Sequence, residues 1–358
     1  MAEGLMNRRK TEKASARATM VDVAKLAGVS QATVSMVLNE TGGTRVTETT
    51  RKLVREAAEA LGYRVWMRAP VGSGGLQAIG FIIDDSTSNP IVNKAIDAAR
   101  QLAWENEAVL VVLPTANDER LRATALELLF AHRVVGLVFA AFFTREYTLP
   151  QKLSAVPVVL INCHIKGDPA PAILPAHAMG AETAVRHLTD AGHRRIAFIN
   201  GEGWMEASRD RLRGYKRGLK AAGIAFNAKL VRTGNWTLSG GHDCTRDLLA
   251  LPEPPTAIFC ASDEMAIGCY EAIKEAGLTI PGDISVVGFD DHPSARHLWP
   301  PLTTILVPHE DMGRRAITHL YAKRDNGDRT GVVTGRLQID CPLVERASVG
   351  PPRVRRDG

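Results

Sequence analysis

An arginine, an indole and a carboxylate stand close to short apolar runs in the sequence, and together they would suit a polyhydroxyl ligand. Arg211 opens a helical pattern carrying Leu212, Tyr215 and Leu219; Trp236 lies in Gly-Asn-Trp-Thr; Asp290 and Asp291 follow Val286–Phe289. A carboxylate accepts two hydroxyl hydrogen bonds, and a guanidinium donates in a fixed fork. An indole face covers the apolar C–H side of a sugar ring. Asn89, with Asp84, Asp85 and Ser88, follows another apolar run in the same way. Asp263 either joins this group or caps the helix that starts at Glu264. A second set of residues lies near the N-terminus, where Gln31, Ala32 and Thr33 open a short helical stretch. Glutamine pairs bidentately with adenine, and an alanine methyl meets that of thymine. Ser30, Ser35, Asn39 and Thr47 are short polar groups of the kind that contact phosphates.

Catalytic patterns are missing. The sequence has no G-x-S-x-G elbow, no Walker loop and no G-x-G-x-x-G opening a helix after a strand. Its ten histidines include no H-E-x-x-H, and His292 and His297 are poorly spaced for one helical face. The reading is therefore not an enzyme, with neither metal nor cofactor. The five cysteines are dispersed without a CxxC pair, as expected for reduced thiols in the cytoplasm. No apolar h-region opens the chain, and Val134–Phe143 is too short to span a bilayer, so no membrane partner is expected.

Charge separates the two sets of residues. Residues 1–70 hold 12 Lys/Arg against 7 Asp/Glu, whereas the rest of the chain holds 32 of each. The whole excess of +5 therefore lies in the first fifth, the pattern of a polyanion-binding head on a neutral body. A solvated basic tail would give the same excess.

The head must position its polar residues on helices. Thr19 caps a first helix with Val23, Ala24 and Ala27 on one side; Gly28 supplies the turn, and Ser30 caps a second helix, Gln31 to Leu38, burying Val34, Val37 and Leu38. After a Gly-rich loop from Thr41 to Arg45, Thr47 caps a third helix with Leu53, Val54, Ala57 and Leu61 inward, ending at Gly62. Two short helices about a tight turn form a helix-turn-helix, whose second helix enters the major groove. Residues 69–75, APVGSGG, read as a linker. Beyond it, apolar strands (79–83, 109–113, 134–139, 156–161, 196–200, 257–260 and 285–289) alternate with amphipathic helices, which predicts parallel sheets covered on both faces. That is too much chain for one sheet, so two lobes with a cleft are expected.

Here the sequence resembles the lactose-repressor (LacI/GalR-type) family. The stretch TMVDVAKLAGVSQATVSMVLN from Thr19 to Asn39 carries the resemblance, continued by Val46-Thr47, Thr50-Arg51 and Glu59-Ala60-Leu61-Gly62-Tyr63. In the body it runs through Asn89-Pro90, His187-Leu188, Gly192-His193-Arg194, Arg211-Leu212-Arg213-Gly214-Tyr215 and Phe259-Cys260-Ala261-Ser262-Asp263. Met265-Ala266-Ile267-Gly268, Pro281-Gly282-Asp283-Ile284, Val287-Gly288-Phe289-Asp290-Asp291 and Pro301-Leu302-Thr303-Thr304 complete it. The resemblance implies an α/β chain: an all-α helix-turn-helix head and a two-lobed, periplasmic-binding-protein-like body with parallel sheets.

It further implies a cytoplasmic transcription regulator, a repressor, placed on the nucleoid when bound to DNA. Its partners would be a near-palindromic double-stranded operator, a second copy in a homodimer, and a small effector, a sugar or a purine. The DNA-binding set is Thr19, Ser30, Gln31, Ala32, Thr33, Ser35, Met36, Asn39, Arg45 and Thr47; the effector set is Asn89, Arg211, Trp236, Asp263 and Asp290. The expected divisions are a disordered basic tail 1–18, head 19–64, hinge 65–77, body 78–345 and disordered tail 346–358. Within the body, one lobe takes 78–174 and 303–330, the other 175–302 and 331–345. A transport-type sugar-binding protein is the alternative, and a nucleotide-dependent enzyme a more distant one.

The sequence departs from the family pattern in places. Met36 stands where the family commonly has a polar group. In the hinge, Val65, Trp66, Ala69, Pro70 and Gly72 replace the usual Pro-Asn, Ala-Arg and Leu; a proline inside a helix costs about 3 kcal/mol. Trp66 or Met67 is then the candidate apolar wedge for the minor groove, against a simple flexible tether. Ala176, followed by His177, occupies a position where many members have Asp, and Val307 stands where a polar residue is frequent. These changes leave a purine or a phosphorylated sugar open as the effector.

Overall fold

Thr19 starts the first helix, α1 (Met20–Ala27), through a reciprocal cap: its hydroxyl receives the Asp22 N–H, and the Asp22 carboxylate accepts from the Thr19 N–H at 2.8 Å. The computed structural model describes residues 19–38, 46–61, 77–84, 90–147, 156–167, 170–324 and 333–353. Helix α1 stops at Gly28, whose φ of 66° is the left-handed conformation that costs glycine nothing. Ser30 accepts the Thr33 N–H at 3.1 Å and caps α2 (Gln31–Leu38), and Thr47 accepts from Thr50 at the start of α3 (Glu48–Ala60). The axes of α1 and α2 differ by 103°, within the range of a helix-turn-helix.

The three helices bury one small core of Val23, Ala24, Val34, Val37, Val54, Ala57 and Ala58. Ala27 and Leu38 pack at its margin, partly buried. Leu53 and Leu61 are not in it, being 48% and 36% exposed. At about 100° per residue, Leu53 lies off the Val54, Ala57, Ala58 stripe.

The chain divides into two units, Met1–Gly75 and Leu76–Gly358. In the second, strands and helices alternate: β1 (Gln77–Ile83), α4 (Pro90–Glu105), β2 (Ala108–Pro114), α5 (Glu119–Ala131), β3 (Gly136–Tyr147), β4 (Val158–Ile165), β5 (Ala172–Pro175), α6 (His177–Asp190), β6 (Ile196–Asn200) and α7 (Glu206–Ala221). There follow β7 (Val231–Thr233), α8 (Leu238–Leu249), β8 (Ala257–Cys260), α9 (Asp263–Glu275), β9 (Ser285–Asp290), β10 (Thr303–Leu306), α10 (His309–Arg324), β11 (Arg336–Ile339) and β12 (Leu343–Val344).

Two six-stranded sheets result, in the orders β11-β5-β4-β3-β1-β2 and β12-β10-β9-β8-β6-β7. The pairs are parallel except β10 with β12. Central strands such as Ile196–Asn200 and Ala257–Cys260 are buried along their whole length, as strands covered on both faces must be.

Three connections cross between the lobes: β5 to α6, β10 to α10, and β11 to β12. The lobe boundaries expected above shift accordingly. Residues 303–306 pair with β9 in the second lobe, while β11 edges the first lobe beside β5. Helix α10 does belong to the first lobe, burying Met312, Ala316 and Ile317 there. Part of the presumed C-terminal tail is also ordered. Ser348 is fully buried, accepts from the Thr303 N–H and donates to the Val286 carbonyl, so 346–353 runs along the second sheet rather than leaving it.

Helices α6 and α7 pack unusually close. A Cβ on Gly214 would overlap the backbone carbonyl of Ala178, so only glycine permits this approach. That contact sets the spacing between the first turn of α6 and the third turn of α7, one turn beyond Arg211.

Candidate functional site

Parallel strands gather the loops after their carboxyl ends on one edge, and ligands sit there in open α/β sheets. In the body, these edges of the two lobes enclose a cavity of about 130 Å³. Arg211, Trp236 and Asp290 all line it, from α7, the β7–α8 loop and the end of β9. Arg211 lies in the second turn of α7 rather than opening it.

Arg211 is only 4% exposed. Its guanidinium donates to the Ala261 carbonyl, lies 3.5 Å from Asp290 Oδ1, and sits 3.8 Å from the Phe289 ring centroid and 5.2 Å from the Trp236 ring centroid. Burial lowers its pKa, and Asp290 works against that loss. Burial pushes the Asp290 carboxyl up to about 6, with Arg211 opposing the rise. Asp290 also holds a φ of 116°, a sparsely populated conformation of the sort stored at functional sites. The Trp236 indole donates to Met205 Sδ at 2.8 Å and lies 5.9 Å, centroid to centroid, from Phe143.

Asp263 is placed elsewhere. Its carboxylate accepts from Thr304 Oγ1 at 2.6 Å and from the His292 N–H at 2.7 Å, joining β10 and the turn after β9 beneath the cavity. It does not cap α9 either: Ser262 does, accepting the Met265 N–H. Both readings of Asp263 are thus replaced by a tie between strands. Asn89, Asp85 and Ser88 lie outside the described residues. Asp84 is buried against Arg122 and Thr115, away from the cavity.

Three histidines, His177, His292 and His309, also line the cavity, and none was among the residues expected to bind the effector. His177, the first residue of α6, is buried; burial and then Arg211 and His309 lower its pKa well below the ordinary value. Its Nδ1 accepts from Arg211 Nε at 3.4 Å, so Nε2 carries the proton toward Thr144 Oγ1 at 2.9 Å. Thr144 donates in turn to Asn162 Oδ1. This chain runs from the second lobe into the first. His309 opens α10, and burial brings its pKa to about 4. The sequence held one signal for this: the Ala176-His177 departure flagged the position without its partners. Val307, the other departure, also lines the cavity.

In the head, Gln31 and Ala32 are exposed at the start of α2, and Thr33, Ser35 and Met36 are partly so. The hydroxyls of Ser30 and Thr33 are 2.9 Å apart, and those of Thr47 and Thr50 likewise. Asn39 and Arg45, and the hinge candidates Val65, Trp66, Met67 and Ala69, lie outside the described residues. Among the described residues, no group of three or more His, Cys, Asp or Glu could hold a metal ion, and no single helix is long and apolar enough to cross a membrane.

A helix-turn-helix unit in one chain with a two-lobed α/β body that holds a polar cleft defines a DNA-binding regulator with a ligand-sensing domain. Comparison with known proteins agrees. Residues 19–65 match bacterial regulatory proteins of the lacI family, and 185–349 match the periplasmic binding protein-like domain. The ribose operon repressor of Escherichia coli (strain K12) is 34% identical over 334 residues, covering 92% of this chain and 99% of its own length. The HTH-type transcriptional regulator GalR of the same strain is 33% identical over 337 residues, covering 94% and 96%. Among solved structures, a lac repressor dimer bound to operator and an anti-inducer superposes with a TM-score of 0.66 at 29% identity, covering 94% of this chain and all of that one. The chain belongs to the lacI family of transcriptional regulators. These relatives are repressors and regulators, not enzymes, which decides against the transport-protein and enzyme alternatives.

Proposed function

We propose that this protein is a cytoplasmic repressor that binds a near-palindromic operator as a homodimer and responds to a sugar held between the lobes of its body. On the nucleoid, Gln31, Ala32, Thr33 and Met36 face base edges, while Thr19, Ser30, Ser35, Asn39, Arg45 and Thr47 meet the backbone.

The observation that carries the effector reading is the convergence of Arg211, Trp236 and Asp290 in one cavity. A fork donor, a carboxylate acceptor and an aromatic face are the groups that a ring bearing hydroxyls requires. Relatives supply the class: one is named for the ribose operon, and another solved regulator is complexed with cellobiose. A ligand gripping both lobes shifts the protein toward the closed arrangement by its differential affinity for that state.

Fluorescence anisotropy with a labelled operator duplex, with and without the effector, tests this. Asp290→Ala is expected to weaken effector binding by roughly ten- to a hundredfold, the loss of a charged hydrogen-bond acceptor. Operator affinity without effector stays close to wild type and falls steeply with salt. A normal effector response in Asp290→Ala would overturn the site.

A further inference from the structure

The cavity that holds Arg211 is not the end of the cleft. A second cavity of about 300 Å³ adjoins it, and Phe143 and Thr144 line both. Trp204, in the loop between β6 and α7, lines the outer one with 72% of its surface exposed. The two indoles follow one another along the cleft: Trp236 donates to Met205, and Met205 lines the outer cavity beside Trp204.

The outer cavity is also built from both lobes. His164 of β4, 5% exposed, pairs with Glu206 of α7 at 2.8 Å, and Arg336 of β11 lies 2.9 Å from the other ring nitrogen. Two arginines, Arg145 and Arg209, and two carboxylates, Glu146 and Glu206, line this opening. Their charges balance. Such a lining holds donors and acceptors without calling for a charged ligand, which disfavours a phosphate and suits hydroxyls. Size points the same way: small-molecule sites usually enclose about 300–1,000 Å³, and the inner cavity alone falls short of that.

We infer that the effector spans both cavities and is a neutral two-ring saccharide, one ring on Trp236 and the second on Trp204. This rests on the reading of the inner cavity as a sugar site and extends it. The inner ring supplies the contacts to Arg211 and Asp290. The outer ring covers an indole face that a monosaccharide would leave in water.

Titration calorimetry on the full chain decides it, using maltose, cellobiose, lactose and sucrose, each against its component monosaccharides, with adenosine and uridine alongside. At least one disaccharide is expected to bind about tenfold tighter than its component sugars. Trp204→Ala removes that advantage while leaving monosaccharide affinity and the melting temperature unchanged, and Trp204→Phe restores part of it. Monosaccharides binding as tightly as disaccharides, or an advantage that survives Trp204→Ala, overturns the second ring site and leaves the inner one standing. A nucleoside that binds more tightly than every sugar and loses affinity in Trp204→Ala assigns the outer cavity to a base and overturns the saccharide. Binding of no sugar at all, with operator binding intact, overturns the sugar reading of the inner cavity and this extension with it.

Discussion

Every described head residue proposed to meet DNA lies between Thr19 and Thr47, on or beside helices set by their own caps. The cleft of the body instead draws on side chains from Phe142 to His309, supplied by strands, loops and helices of two lobes. One site is assembled by local structure, the other by long-range packing. Damage should therefore behave differently in the two. A change in the head stays in the head, whereas a change in the body's packing reaches its cleft without touching a lining residue.

The largest expected effect tests the second half of that contrast. Gly214 is not in the cavity, but a methyl group there would overlap the Ala178 carbonyl and press on Ala181. Gly214→Ala must push α6 from α7, moving His177 relative to Arg211. Overpacking of this sort costs about 1–3 kcal/mol, so the melting temperature of the body should fall by several degrees. Effector affinity should fall with it, while the head still binds operator at low temperature. Unchanged effector affinity in a destabilised Gly214→Ala protein would show that the cleft does not depend on this helix contact.

The same contrast explains what could be read from the residues beforehand. Caps and turns are written in adjacent residues, so Thr19, Gly28, Ser30 and Thr47 disclosed the three head helices, with α2 spanning Gln31–Leu38 as expected. The central strands were legible too, because apolar runs such as residues 196–199 are bounded by polar residues, whereas the short β5, β10, β11 and β12 were not read beforehand. Leu53 misled because an apolar residue one step off the stripe resembles core. In the body, Arg211, Trp236 and Asp290 were legible as residue types following strands. The chain through His177, Thr144 and Asn162 was not, since its members are far apart in sequence and meet only once the lobes face each other. Asp263 shows the converse: its sequence position fits either a ligand contact or a helix cap, but its partners Thr304 and His292 hold it for the fold. The exchange of strands at the lobe crossovers was hidden for the same reason, as β10 and β11 differ in partner rather than in pattern.

A pH profile sharpens the view of the cleft as a product of burial. With its carboxyl raised to about 6, Asp290 takes up a proton on mild acidification. For stability, a raised carboxyl pKa contributes favourably at low pH, and that contribution is lost as pH rises through about 6. For binding the sign reverses, because the neutral acid is the poorer acceptor of hydroxyl hydrogen bonds. Effector affinity should fall by up to about tenfold per pH unit below that pKa. His309, with its pKa at about 4, stays neutral between pH 7.5 and 5, and burial biases His177 toward its neutral form as well. His292 also lines the cavity, so the control is Asp290→Asn, whose affinity should be low and flat across the range. A flat profile in the wild type would remove Asp290 from the ligand contacts.

The smallest effect tests the head. Thr19→Ala removes a hydroxyl that receives the Asp22 N–H and donates to its carboxylate at 2.6 Å, dismantling the box that starts α1. Losing an N-cap costs about 1 kcal/mol, and the head's small core of valines and alanines has little to absorb it. Operator affinity should fall by no more than about fivefold, and the head's amide hydrogens should exchange faster with solvent. Calorimetry of effector binding on the same protein should show no change at all, since the cavity is built from body residues between Phe142 and His309. A Thr19→Ala protein with altered effector affinity would erase the contrast from the other side, by showing that the end of α1 is energetically part of the sensing body.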